Sequence, residues 1–136
     1  MNSFLKEEIK NDKEELLKFQ GIWSRTFGEV DKVTTPNFVF VDSIMVVGGR
    51  KTTITEGGQA FEMEIVGLNA NVNPKEIDIK ILGNPKGDSI SLGIYELKGD
   101  SLRICHSLKE QAMRPDKFEI SEGSGLVQSE WERVKK

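Results

Sequence analysis

The sequence predicts an all-β fold, an eight-stranded antiparallel up-and-down β-barrel preceded by a short N-terminal helix. Three observations carry this expectation. First, apolar residues recur with period two in FEMEI (61–65) and IDIKI (77–81), as in strands with one wet face. Second, turn signals punctuate the chain at Gly48-Gly49, Gly57-Gly58, Asn73-Pro74, Asn84-Pro85-Lys86-Gly87, Gly99-Asp100 and Gly123-Ser124-Gly125, leaving strand-length segments between them. Third, 136 residues form one domain, and eight sequential strands can close on themselves and remove both exposed edges.

The elements follow in order. Residues 1–11 read as an extension, with a turn or two of helix through Phe4, Leu5 and Ile9, and residues 12–136 as the barrel domain. Asp12 can N-cap a helix, and Glu15 stands at the capping-box spacing. Leu16, Leu17 and Phe19 give that helix an apolar face, and Gly21 stops it. After Gly21 the period changes to two. Strands are expected near 22–28, 37–47, 50–55, 59–68, 76–82, 90–97, 101–107 and 126–134. In IYELKGDSLRIC a two-residue turn at Gly99-Asp100 sets Lys98 against Ser101, Leu97 against Leu102, Glu96 against Arg103 and Tyr95 against Ile104. That register brings apolar to apolar and acid to base. The face carrying Gly93, Tyr95, Leu97, Leu102, Ile104 and His106 is then the interior.

Composition narrows the function classes. The net charge is −3 with both signs interspersed, so no basic stripe suggests nucleic acid. The single cysteine, Cys105, cannot form an intrachain disulfide and suits a reducing compartment. The charged start MNSFLKEEIK is unlike a signal peptide, and no run approaches the roughly 20 apolar residues of a membrane helix. A cytoplasmic protein without membrane insertion is expected, exported only if a signal peptide has been removed.

Trp23 follows the helix stop directly, as Gly21-Ile22-Trp23. This Gly-x-Trp at the head of a first strand resembles the signature of the lipocalin-like barrels, of calycin type. The resemblance implies that Trp23 plugs one barrel end and that Arg133, in SEWERVKK, packs across its ring. LLKFQGIW, GIYELKGDSLRIC, RPDKF and GSG also look like a bacterial lipocalin-like domain family abundant in planctomycetes, over roughly residues 12–134. That family implies a barrel and brings no established activity.

No catalytic constellation is visible. His106 and Cys105 are adjacent and therefore face opposite sides of a strand, which argues against a Cys-His pair and against a metal site. Glu62, Glu64 and Glu96 fall on the solvent face, which argues against a paired-carboxylate site for glycoside chemistry. The expectation is therefore no enzyme, no metal and no cofactor. Phe27, Phe61, Met63, Ile79, Tyr95, Ile104 and His106 are the candidate lining of the interior. Arg25 shares the Trp23 face if the strand is regular. An inward arginine needs an anion, either an internal carboxylate or an acidic ligand headgroup. Arg114, before Pro115, either holds a loop through backbone carbonyls or contacts a ligand. The leading expectation is a non-catalytic binding module for a small apolar or amphipathic ligand, with Tyr95, His106 and Arg25 as its polar groups. The alternative is a protein-interaction module, an inhibitor or immunity-type protein, with a packed barrel and an outer patch in FVFVDSIMVVGG (38–49).

Overall fold

Eight strands of one antiparallel sheet close into a barrel, with a short helix at one end. The structure is a computed structural model, and it describes residues 12–30, 33–34, 43–83, 87, 89–107, 113–119 and 125–134. Helix α1 covers residues 12–19. The strands are β1 (Gly21–Val30), β2 (Val33–Thr34), β3 (Ile44–Gly48), β4 (Lys51–Glu56), β5 (Gln59–Asn69), β6 (Lys75–Ile81), β7 (Ser89–Lys98), β8 (Ser101–Ser107) and β9 (Leu126–Arg133). Neighbours in sequence pair from β3 to β9, β1 pairs β3, and β1 with β9 closes the cylinder. The two-residue β2, unforeseen in the sequence, only lengthens the far end of β1. The helical turn expected within 3–10, the first part of the strand expected at 37–47 and the turn residues 84–86, 123 and 124 lie outside the described residues.

The hairpin of β7 and β8 has the register its sequence predicts, from Gly93 opposite His106 to Lys98 opposite Ser101. Its interior face is buried at Tyr95, Leu102 and Ile104. On the outer face Glu96 meets Arg103 at 3.5 Å. Gly93 is fixed by packing: a Cβ there would stand 2.8 Å from the Cys105 carbonyl oxygen and 2.9 Å from His106 Cβ. Two strands come together at that point with no room for a larger residue.

Two bulges adjust the cylinder. In β5 the register shifts between Ile65 and Gly67, so that Met63, Ile65 and then Leu68 all stay on the inner side. In β1 it shifts between Arg25, opposite Trp131, and Phe27, opposite Glu130. Successive residues of β9 face opposite sides. The extra residue, Thr26, therefore separates Phe27 from the face of Trp23 and Arg25. The expectation that Phe27 lines the interior fails for this reason: period two does not survive a bulge.

The core inside the barrel comprises Phe19, Trp23, Met45, Val47, Ile65, Leu68, Ile77, Ile79, Tyr95, Leu102, Ile104 and Trp131. A second, smaller cluster lies outside the sheet, where Ile94 and Cys105 are covered by Phe118 and Leu126.

Candidate functional site

One end of the barrel is sealed. Trp23 is fully buried (0% exposed), and its indole Nε1–H donates to the Phe19 carbonyl at 2.8 Å. The Arg133 guanidinium lies 4.3 Å from the indole centroid. Its Nη1 and Nη2 donate to the carbonyls of Gln20 and of Lys18, the latter at 2.7 Å, and its Nε to Asp100 Oδ1 at 2.9 Å. Arg133 thus stacks on the plug and satisfies carbonyls at the C-terminal end of α1 that the helix leaves unpaired. Gly21 makes this approach feasible. Its φ is +125°, and a Cβ there would sit 3.1 Å from Arg133 Nη1.

The helix is tied down at its other end too. Asp12 and Glu15 do not form a capping box. The Asp12 carboxylate pairs with Arg50 and accepts the Leu68 amide N–H at 2.8 Å, beyond the end of the β4–β5 pairing at Lys51 and Glu64. Arg50 Nη1 donates to the Ile65 carbonyl at 3.0 Å on the other side of the β5 bulge. Glu15 turns inward. Its Oε1 accepts from the Tyr95 hydroxyl at 2.8 Å and from Lys75 Nζ at 3.2 Å, and its Oε2 meets Lys18 Nζ at 2.8 Å. Burial works to raise the Glu15 pKa, but the donors Lys18, Tyr95 and Lys75 outweigh it and hold the carboxyl below its ordinary value. Burial, together with the Glu15 carboxylate, pushes the Tyr95 phenol far up. Tyr95, expected as a ligand contact, is 1% exposed; it packs edge-on against Phe19 at 5.1 Å and spends its hydroxyl on Glu15.

Away from the plug the barrel opens into a wide mouth. A cavity of about 540 Å³ is bounded by Arg25, Ile54, Glu56, Phe61, Met63, Leu82, His106, Val127, Ser129 and Trp131, among others. It narrows toward the plug into an apolar slot of about 50 Å³ lined by Phe19, Met45, Val47, Thr52, Ile65, Ile77, Ile79 and Ile104. Ile54, Met63, His106, Ser129 and Trp131 line both parts. Phe61 and Met63 therefore stand where the alternation of FEMEI places them, with Phe61 at the rim, 49% exposed. Tyr95 and Phe27 line neither part.

The polar groups in this cavity are largely committed to one another. Arg25 pairs with Glu56, and its guanidinium lies 5.6 Å from the Trp131 ring. An internal carboxylate is thus its anion. The Ser91 hydroxyl donates to the Ser107 carbonyl at 2.6 Å and stands 3.0 Å from His106 Nδ1. A hydroxyl has one hydrogen. With that hydrogen on the carbonyl, Ser91 Oγ accepts from His106, so Nδ1 carries the proton and Nε2 is the acceptor. Burial pushes the His106 pKa down to about 4 against a weaker pull from the Ser107 backbone, with Arg25 adding to the depression. The ring is neutral at pH 7. The Trp131 indole N–H donates to Ser129 Oγ at 2.9 Å.

Arg114 stands apart from this cavity. It donates to the carbonyls of Ile77 at 3.2 Å and Gly93 at 2.8 Å, and pairs with Asp78 at 2.7 Å. It fastens residues 113–119 onto β6 and β7, while Arg103 holds Phe118 by stacking at 3.9 Å. Cys105 lies beneath, fully buried, its thiol pushed up to about 11 by burial. Replacing Arg114 with alanine should release this cover. Losing charged hydrogen bonds worth about 1.5–3 kcal/mol should raise the rate at which a thiol reagent labels Cys105 roughly 10- to 100-fold. An unchanged labelling rate would show that Arg114 does not hold the cover.

Several cavity residues escaped sequence reasoning: Thr52, Ile54, Glu56, Ser129 and Trp131, as did Ser91, the partner of His106. The alternation Ser129-x-Trp131-x-Arg133 was the available signal, since Arg133 fixes which face of β9 looks inward. Thr52 and Ile54 alternate likewise, in a strand too polar to stand out. No helix among the described residues is long and apolar enough to cross a membrane. No protein-family model, curated protein or solved structure matches this chain.

Proposed function

We propose that this protein is a non-catalytic, cytoplasmic binding module of the lipocalin-like kind, taking one small apolar or amphipathic ligand into its barrel. The observation that carries the reading is the open-mouthed cavity at the unplugged end. A cavity of about 540 Å³ continuing into an apolar slot falls within the roughly 300–1,000 Å³ range of small-molecule sites. The slot's walls are chiefly Ile, Met, Val, Phe and Trp, while the wider mouth adds Arg25, Glu56, Glu62, His106 and Ser129. Burying apolar ligand surface there yields about 25 cal/mol per Å². The plugged end gives the site a floor, and the Gly21-Ile22-Trp23 and Arg133 arrangement supports the lipocalin-like assignment.

The test is titration with N-phenyl-1-naphthylamine, an uncharged fluorophore, in parallel on the wild type and on Ile54→Trp, which fills the passage between the two parts of the cavity. Saturable binding at one probe per chain with a low-micromolar Kd, weakened at least tenfold in the variant, is expected. Lack of saturable binding by the folded wild type would overturn the reading.

A further inference from the structure

We propose that the ligand is an uncharged apolar molecule bearing a hydroxyl group, and that this hydroxyl donates to His106 Nε2 inside the barrel. The inference rests on the binding reading above and specifies its ligand class.

Three observations lead to it. The first is the tautomer of His106. Because Ser91 gives its hydrogen to the Ser107 carbonyl, His106 Nδ1 must be the donor in the His106–Ser91 pair, and Nε2 is left as a lone-pair acceptor. The ring that carries this acceptor borders both parts of the cavity.

The second is Thr52. It is 4% exposed and lines the apolar slot, yet its hydroxyl has no hydrogen-bond partner among the described residues. A buried polar group without a partner is costly, and a ligand hydroxyl has both a hydrogen to give and lone pairs to receive one. The slot therefore offers an acceptor on His106 and a donor on Thr52, complementary to a hydroxyl and to neither an alkane nor an ether alone.

The third is charge. The cavity's cation, Arg25, is already neutralised by Glu56, and His106 is uncharged at pH 7. A carboxylate entering here would lose its hydration without gaining an unengaged cation.

Calorimetric titration at about pH 7.5 with three ligands of matched length tests this: 1-octanol, octanoate and heptyl methyl ether. Octanol is expected to bind roughly tenfold more tightly than the ether, the yield of one well-made hydrogen bond, and more tightly still than octanoate. His106→Leu should abolish the advantage over the ether while leaving ether affinity within about twofold. Thr52→Val, which removes an unpaired hydroxyl at nearly constant shape and leaves the fold intact, should reduce that advantage severalfold. Octanoate binding as tightly as octanol, or an octanol advantage that survives in both variants, would overturn the ligand class and leave the binding module standing. Binding of none of the three would sink both.

Discussion

Replacing Trp23 with alanine is expected to cost about 3–5 kcal/mol of unfolding free energy, in the range for deleting a large buried aromatic. For a chain of this size that lowers Tm by roughly 10–20 °C. The loss has three sources. The indole is fully buried at the floor of the barrel core. Its N–H is the partner of the Phe19 carbonyl. Its face is the surface on which Arg133 lies while that residue holds the last carbonyls of α1. Trp23→Phe keeps most of the apolar area and loses the hydrogen bond, so about 1–2 kcal/mol is expected for it. Chemical denaturation of both variants checks the ranking. A Trp23→Ala cost below about 1.5 kcal/mol would mean that the floor is held by the strands alone and that the indole merely fills space.

Where the determinants of the fold are local, the sequence states them. The β7–β8 hairpin is legible because both partners lie within fourteen residues, with a tight turn between them and a charge pair, Glu96 and Arg103, to fix the register. FEMEI and IDIKI are legible because alternation needs only one strand. The plug is legible because Gly21, Trp23 and Arg133 carry a recognisable pattern. What stays hidden is non-local. Nothing in SRTFGEV announces that Thr26 is a bulge, so the sequence cannot show that Phe27 leaves the inner face. Glu15 is written like the third residue of a capping box, and its real partners, Tyr95 and Lys75, lie eighty and sixty residues away. The candidate site divides the same way. His106 and Met63 are found from strand parity alone. The tautomer of His106 and the committed state of Arg25 depend on Ser91 and Glu56, contributed by other strands.

Glu15 gives the second large effect. Glu15→Ala should cost about 3–5 kcal/mol, because removing one member of a buried charged network strands the others. Tyr95 would keep a hydroxyl at 1% exposure without its acceptor, and Lys75 would lose its carboxylate. Glu15→Gln retains an acceptor for Tyr95 and should cost less, about 2 kcal/mol. The pH dependence separates charge from packing. The folded pKa of Glu15 is depressed below its ordinary 4.5. Its ionised form therefore contributes stability that is fully present above pH 4.5 and fades as pH falls through the lower folded value. His106 acts in an earlier window. Its folded pKa of about 4 lies below the ordinary 6.5, so the unfolded chain takes up the proton first. Stability contributed by the neutral ring then declines as pH falls from 6.5 to 4, by up to about 3 kcal/mol. Wild-type stability is thus expected to drop in two stages on acidification. Glu15→Gln should remove the stage below pH 4.5 and preserve the stage above it, whereas His106→Leu should do the reverse. Denaturant midpoints measured from pH 7.5 to 3 distinguish them, and a Glu15→Gln profile parallel to wild type throughout would refute the claim that the buried carboxylate is ionised. The two stages arise at opposite ends of the same interior. At the sealed end a charge is kept and its donors are supplied by the helix and two strands, and in the cavity a charge is refused, which leaves an acceptor facing the space a ligand would fill.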